Sequence, residues 1–253
     1  MYTHEISIEI KPGTKKEMVF NEFSLLMGAY TQSGQATSVG GNAYWDGSRI
    51  VGLLITIERD ALKTKYNNIY VNARIAALEA LCKSTLQFRI AGKNNDSGVC
   101  KCKLPDSYIL FTHMFNDASP IECGKCAKPV PLYRLPYYDA HSYYSIQEWE
   151  RQYKACDQLQ LGCTVGEKWA LKQMQDANSQ LSKEGRSICA RMEDLTQTPF
   201  YYYLFNYRKF KPGQQQSNCP GCGNMWALNE QLHGFYDYKC EACRLISCKS
   251  SNV

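Results

Sequence analysis

The chain has 253 residues, 44% of them apolar and 21% charged, and a formal net charge of +5. That balance supports a folded core and excludes a disordered polar chain. The longest apolar run, Val51 to Ile57, is far short of the roughly 20 residues a membrane helix needs. Met1 to Ile6 shows neither the basic start nor the apolar stretch of a secretory signal, so a cytoplasmic protein is expected.

The first hundred residues carry a clear alternation of patterns. Ile6, Ile8 and Ile10 alternate with Glu5, Ser7 and Glu9, which predicts a half-buried strand broken at Pro12-Gly13. Thr14 and Glu17 form a capping-box pattern that opens a helix through about Tyr30. Residues 34–41 read as a loop. A strand pair follows at about 42–45 and 49–57, turning at Asp46-Gly47. A helix over 68–82 and a strand at 86–90 complete the order β-α-β-β-α-β. The expected fold is α+β, with a ferredoxin-like domain over residues 1–99.

Residues 100–144 form a segment rich in Cys and Pro, resembling a zinc knuckle. From 145 to 210 the pattern is helical and closes on an aromatic strand. Ser145 with Glu148, and Thr164 with Glu167, repeat the capping-box spacing, while Leu181, Ile188, Met192 and Leu195 mark a third helix. Pro199 ends this region, and Phe200 to Tyr207 reads as a strand. Residues 211–217 read as a linker into a final compact segment, 218–248.

Thirteen cysteines in a chain without an export signal point to metal or redox chemistry instead of disulfides. Cys219 and Cys222 are followed, after 17 residues, by Cys240 and Cys243. Two C-x-x-C pairs at this spacing present four soft thiolates to one ion, the pattern of a zinc ribbon holding Zn²⁺. Paired redox dithiols would need a thioredoxin-like context, which the flanking sequence lacks. Trp226, Phe235 and Tyr238 are expected to cover the site. A second group, Cys100 and Cys102 followed after 20 residues by Cys123 and Cys126, suits a second Zn²⁺, with buried free thiols as the plainer reading. The remaining Cys82, Cys156, Cys163, Cys189 and Cys248 read as small buried residues. His4, His113, His141 and His233 have no ligand-like neighbours in sequence.

These residues resemble a known bacterial family: zinc-ribbon-containing proteins of uncharacterised function carrying a nucleic-acid-binding label. The resemblance rests on Cys123-Gly-Lys-Cys126 with Val130 to Pro136, on Tyr153 to Leu161, on Leu181 to Gly185 with Ile188-Cys189, and on Phe235 to Ser247. It covers most of residues 100–247 and is most specific in the ribbon. Asn224 stands where the family has a second Gly, a departure that leaves the ligands untouched. The resemblance implies no enzymatic activity. Some family members lie beside polymorphic toxins, which implies an immunity-type inhibitor as one role.

No catalytic signature is present: no G-x-S-x-G, no Walker loop, no H-E-x-x-H and no dinucleotide fingerprint. A site with four Cys ligands is closed to substrate, so a non-enzymatic protein is expected. Nucleic acid needs a footprint of Lys and Arg, yet residues 219–253 are formally neutral. A protein partner, such as a cognate toxin, is therefore the first expectation and nucleic acid the alternative. Eighteen tyrosines supply contact residues. Tyr201, Tyr203 and Tyr207, with the basic Arg208 and Lys209, are the candidates, since alternate members of a strand cannot all face one core; a strand buried on both faces is the plainer alternative.

Overall fold

The computed structural model describes residues 1–39, 43–93, 98–207 and 218–249. The protein is mixed α+β, with two sheets. It divides into two units: Met1–Val99 with Asp117–Ser119 and Val130–Tyr144, and Cys100–Asn116 with Pro120–Pro129 and Ser145–Val253. The Cys-rich middle stretch is thus shared between the two. The expected linker at 211–217 lies outside the described residues.

The first unit runs β1 (Tyr2–Glu9), α1 (Lys16–Gln32), β2 (Ser38–Val39), β3 (Tyr44–Asp46), β4 (Arg49–Thr56), α2 (Ile69–Cys82) and β5 (Gln87–Lys93). The sheet order is β2-β4-β1-β5, with β3 also on β4, and β1 is antiparallel to both neighbours. Alternation along β1 places Ile6 and Ile8 in the core, with Glu5 and Ser7 on the opposite face. Val19, Phe23, Leu26 and Tyr30 of α1 and Val71 and Leu78 of α2 close over them. The turn expected at Asp46-Gly47 forms, with Gly47 at φ +62°.

In α1 and α4 the capping box read from the sequence does not start the helix. α1 begins at Lys16 with Lys15 as N-cap, because the Thr14 amide is already engaged in a turn with Lys11. The caps that form are Asn68, whose side chain accepts from the Val71 amide at 2.8 Å, and Ser179, which accepts from Ser182 at 3.1 Å.

The second unit holds β6 (Tyr108–Leu110), β7 (Ile121–Cys123), α3 (Tyr144–Leu161), α4 (Glu167–Gln175), α5 (Gln180–Thr196), β8 (Phe200–Tyr203), β9 (Ala227–Leu232), β10 (Tyr236–Cys240) and β11 (Leu245–Ser247). In α3, Ser145 is a helical residue and Glu148 pairs with Arg151; in α4, Gly166 occupies the N-cap at φ +76°. One six-stranded sheet runs β7-β6-β8-β11-β10-β9. Central β8 is parallel to β6 on one side and β11 on the other, so the ribbon contributes half of the sheet.

Strand β8 is buried on both faces, as a central parallel strand should be. Tyr202 meets Trp149 edge to face at 6.0 Å, and the Trp149 indole N–H donates to the Leu181 carbonyl. A Cβ at Gly185 would fall 2.2 Å from the Tyr202 ring, so α5 lies directly on the sheet at that point. Tyr201 and Tyr203 face the other way into a cluster with Ile109, Tyr236, Ile246 and Cys248. Among the described residues no helix is long and apolar enough to cross a membrane.

Candidate metal centres

Each C-x-x-C pair sits at a tight turn built by its own backbone. In Cys123-Gly-Lys-Cys126 the Cys123 amide donates to the Lys128 carbonyl at 2.9 Å, and the Ala127 amide returns to the Cys123 carbonyl at 2.8 Å. Cys219 to Asn224 repeats both bonds: the Cys219 amide to the Asn224 carbonyl at 2.8 Å, and the Gly223 amide to the Cys219 carbonyl at 2.9 Å. The residue after the second cysteine is left-handed in all three C-x-x-C turns: Ala127 at φ +51°, Gly223 at +76° and Arg244 at +51°. Cys123 is the last residue of β7 and Cys240 the last of β10, so the sheet aims both turns.

The turns converge on two groups. The sulfurs of Cys100, Cys102, Cys123 and Cys126 lie within 4.8 Å of one another, and so do those of Cys219, Cys222, Cys240 and Cys243. The Cys222 and Cys240 sulfurs are 3.6 Å apart. A tetrahedron with Zn–S bonds of about 2.3 Å has S–S edges of about 3.8 Å, so the spacing suits one ion per group. None of the thirteen cysteines is joined in a disulfide. In every pair the first cysteine is buried and the second is more open, with Cys222 exposed. A Cβ at Gly221 would stand 2.8 Å from the Cys243 sulfur, so only glycine lets the chain pass this close to the group.

The electrostatics of the groups favour a cation. Burial pushes the Cys123 thiol well up and raises Cys100 and Cys240. Burial and the neighbouring Cys222 and Cys219 sulfurs push Cys243 up to about 12. Each group also has one thiol held low. The Asn224 amide lowers Cys222; at Cys126 burial is outweighed by the Lys128 amide and the other sulfurs. Four thiolates this close repel one another, so the unassisted group keeps most of its protons. A divalent cation cancels that repulsion. Backbone amides already point at the sulfurs, with Cys102 to Cys100, Gly221 to Cys219 and Cys243 to Cys240 each at 3.4 Å. These donors stabilise the deprotonated form, which is the ligand.

The aromatic residues expected at the ribbon divide. Trp226 and Tyr238 are buried and stack at 5.0 Å, while Phe235 is 43% exposed and leans on Phe111 and Tyr203. Of the five scattered cysteines, Cys82, Cys156, Cys189 and Cys248 are buried; Cys163 is exposed, in a left-handed turn after α3. Tyr201 and Tyr203 are 2% and 3% exposed and lie inside the core, because both faces of β8 are covered. Tyr207 is 40% exposed. Arg208 and Lys209 lie outside the described residues.

No histidine belongs to either group among the described residues. His4 bonds Thr56 within the first unit, and His113 and His141 lie against aromatic rings. His233 was not singled out by its sequence, yet its Nε2 lies 2.5 Å from the Gly124 carbonyl in the first turn.

Three family models match, each described as a domain of unknown function: DUF8589 over residues 1–92, DUF2310 over 102–205 and DUF8594 over 208–253. Two similar proteins of Haemophilus influenzae, both described as uncharacterised, were found. One is 32% identical over 201 residues, covering 79% of this chain and 77% of the relative. The other is 33% identical over 167 residues, covering 65% and 82%. The chain belongs to the family of these two proteins. No solved structure matches it significantly. The last two family models meet between β8 and the ribbon, yet β8 and β11 are paired neighbours in one sheet.

Proposed function

We propose that this is a non-catalytic zinc protein whose two Zn²⁺ ions brace the second unit as a rigid platform for a macromolecular partner. The observation that carries the reading is the pair of four-sulfur groups, each within 4.8 Å. Four protein ligands fill a zinc tetrahedron and leave no position for water or substrate, so the ions shape the fold instead of performing chemistry. Soft thiolates select zinc over calcium or magnesium. Thirteen cysteines with no disulfide among them suit a reducing cytoplasm. The first unit reads as a ferredoxin-like domain, supported by its element order and by the antiparallel order β2-β4-β1-β5.

A protein is the preferred partner. The cations beside the second group are already engaged: Lys239 with Glu241 at 2.8 Å, and Arg244 with Glu193 at 2.8 Å and Glu241 at 3.0 Å. Charges neutralised within the chain release few counterions from a phosphate backbone. Exposed Leu104, Phe115 and Met225, 73–84% accessible, supply apolar contacts in the same unit. The immunity-type role rests on the family resemblance alone. A titration with random duplex DNA tests the choice: weak binding at physiological salt is expected. Tight binding that falls steeply with salt would replace the protein partner with nucleic acid.

A further inference from the structure

The ribbon does more than close its own centre. Its β9–β10 hairpin turns at His233-Gly234, both residues left-handed at φ +58° and +68°, and the Phe235 amide closes the turn on the Leu232 carbonyl at 3.2 Å. This is a type I′ turn, for which Asn-Gly is the relaxed sequence. Histidine is held there under strain, and its ring reaches the Gly124 carbonyl, between Cys123 and Cys126. Three residues on, the Tyr236 hydroxyl donates to Glu122 at 3.0 Å, next to Cys123. Between these bonds the Phe235 ring packs on Phe111 and Tyr203. Tyr236 opens β10 directly after this turn, and β10 ends in Cys240, a member of the second group.

We propose that the two centres are coupled: the ion at the second centre locks a hairpin that buttresses the turn of the first, with His233 as the positioning residue. This rests on the reading of both groups as zinc sites. Without the second ion, Cys240 loses its tether and β10 its fixed end, so the bonds to Gly124 and Glu122 loosen. The Cys123–Cys126 turn then samples geometries that no longer aim both sulfurs at one point. Because linkage is reciprocal, filling the first centre must also tighten the second.

The test uses the full, reduced chain, zinc alone as probe, and a competing chelator. The intact protein should bind two zinc ions. Cys222→Ser, at the exposed ligand, should empty the second centre and weaken the first about tenfold or more. His233→Asn keeps both ligand sets and relaxes the turn. It should weaken the first centre about threefold to tenfold, the share of one hydrogen bond. Hydrogen exchange at Cys126 and Ala127 should quicken in both variants with zinc bound. Two ions in the intact chain, with a first centre unchanged in both variants, would overturn the coupling and leave two independent zinc sites. Fewer than two ions in the intact chain would overturn the coupling and the zinc reading together.

Discussion

Backbone conformation at single residues decides whether four sulfurs meet. Ala127 occupies the same left-handed position in its turn that Gly223 occupies in the other, and a Cβ there costs on the order of 1 kcal/mol. Ala127→Gly should therefore raise stability by about 0.5 kcal/mol, since added freedom in the unfolded chain offsets part of the relief. Denaturant titration of the zinc-loaded protein measures it, and a loss of stability would show that the Ala127 side chain packs usefully. Gly221→Ala should do the reverse, because its methyl would press on the Cys243 sulfur at 2.8 Å. Chelator competition should find zinc at the second centre bound more weakly, with the first changed less. The two cysteine groups were legible in the sequence because a C-x-x-C turn is local: four residues and their amides define it. His233 was not legible, because its partner Gly124 lies 109 positions away.

Elements show where local pattern misleads. The S/T-x-x-E patterns at Thr14 and Thr164 were legible, yet α1 and α4 start elsewhere, since a four-residue pattern cannot report whether its backbone is already committed to a turn. Ser179, which lacks an acid three residues on, caps α5. Ser179→Ala should cost about 1 kcal/mol, while Thr164→Ala, at an exposed residue that caps nothing, should stay within about 0.5 kcal/mol. Equal losses in thermal denaturation would restore the capping-box assignment. The aromatic strand was legible as a strand, but with its burial open between one face and two, because period-two alternation cannot tell a strand with one wet face from one covered twice. Gly185→Ala probes that covering. It should destabilise by about 1–3 kcal/mol, as a methyl is forced against the Tyr202 ring. A neutral result in the same assay would mean that α5 can move off the sheet without loss.

The whole molecule adds what no segment shows. The mixed α+β class and the longer elements of residues 1–93 follow from periodicity, which is strong in elements of eight to seventeen residues. But β2 at Ser38–Val39 falls in the stretch read as a loop, because two residues carry no period. The six-stranded sheet of the second unit was not legible, since β6, β7 and β11 have three residues each, too short to carry a period. β7 ends at Cys123, β11 follows Cys243, and β8 lies between β6 and β11. Metal removal should therefore act unequally. A chelator should abolish amide protection in the second unit, where both groups lie, while the core of Ile6, Phe23 and Leu78 in the first unit stays protected. Affinity should fall as pH drops, because the raised thiols of Cys123, Cys100, Cys240 and Cys243 must give up protons to bind. Elemental analysis of freshly isolated, reduced protein tests the central claim most directly. Two zinc ions per chain are predicted, and protein that is folded in its second unit but free of metal would contradict the account.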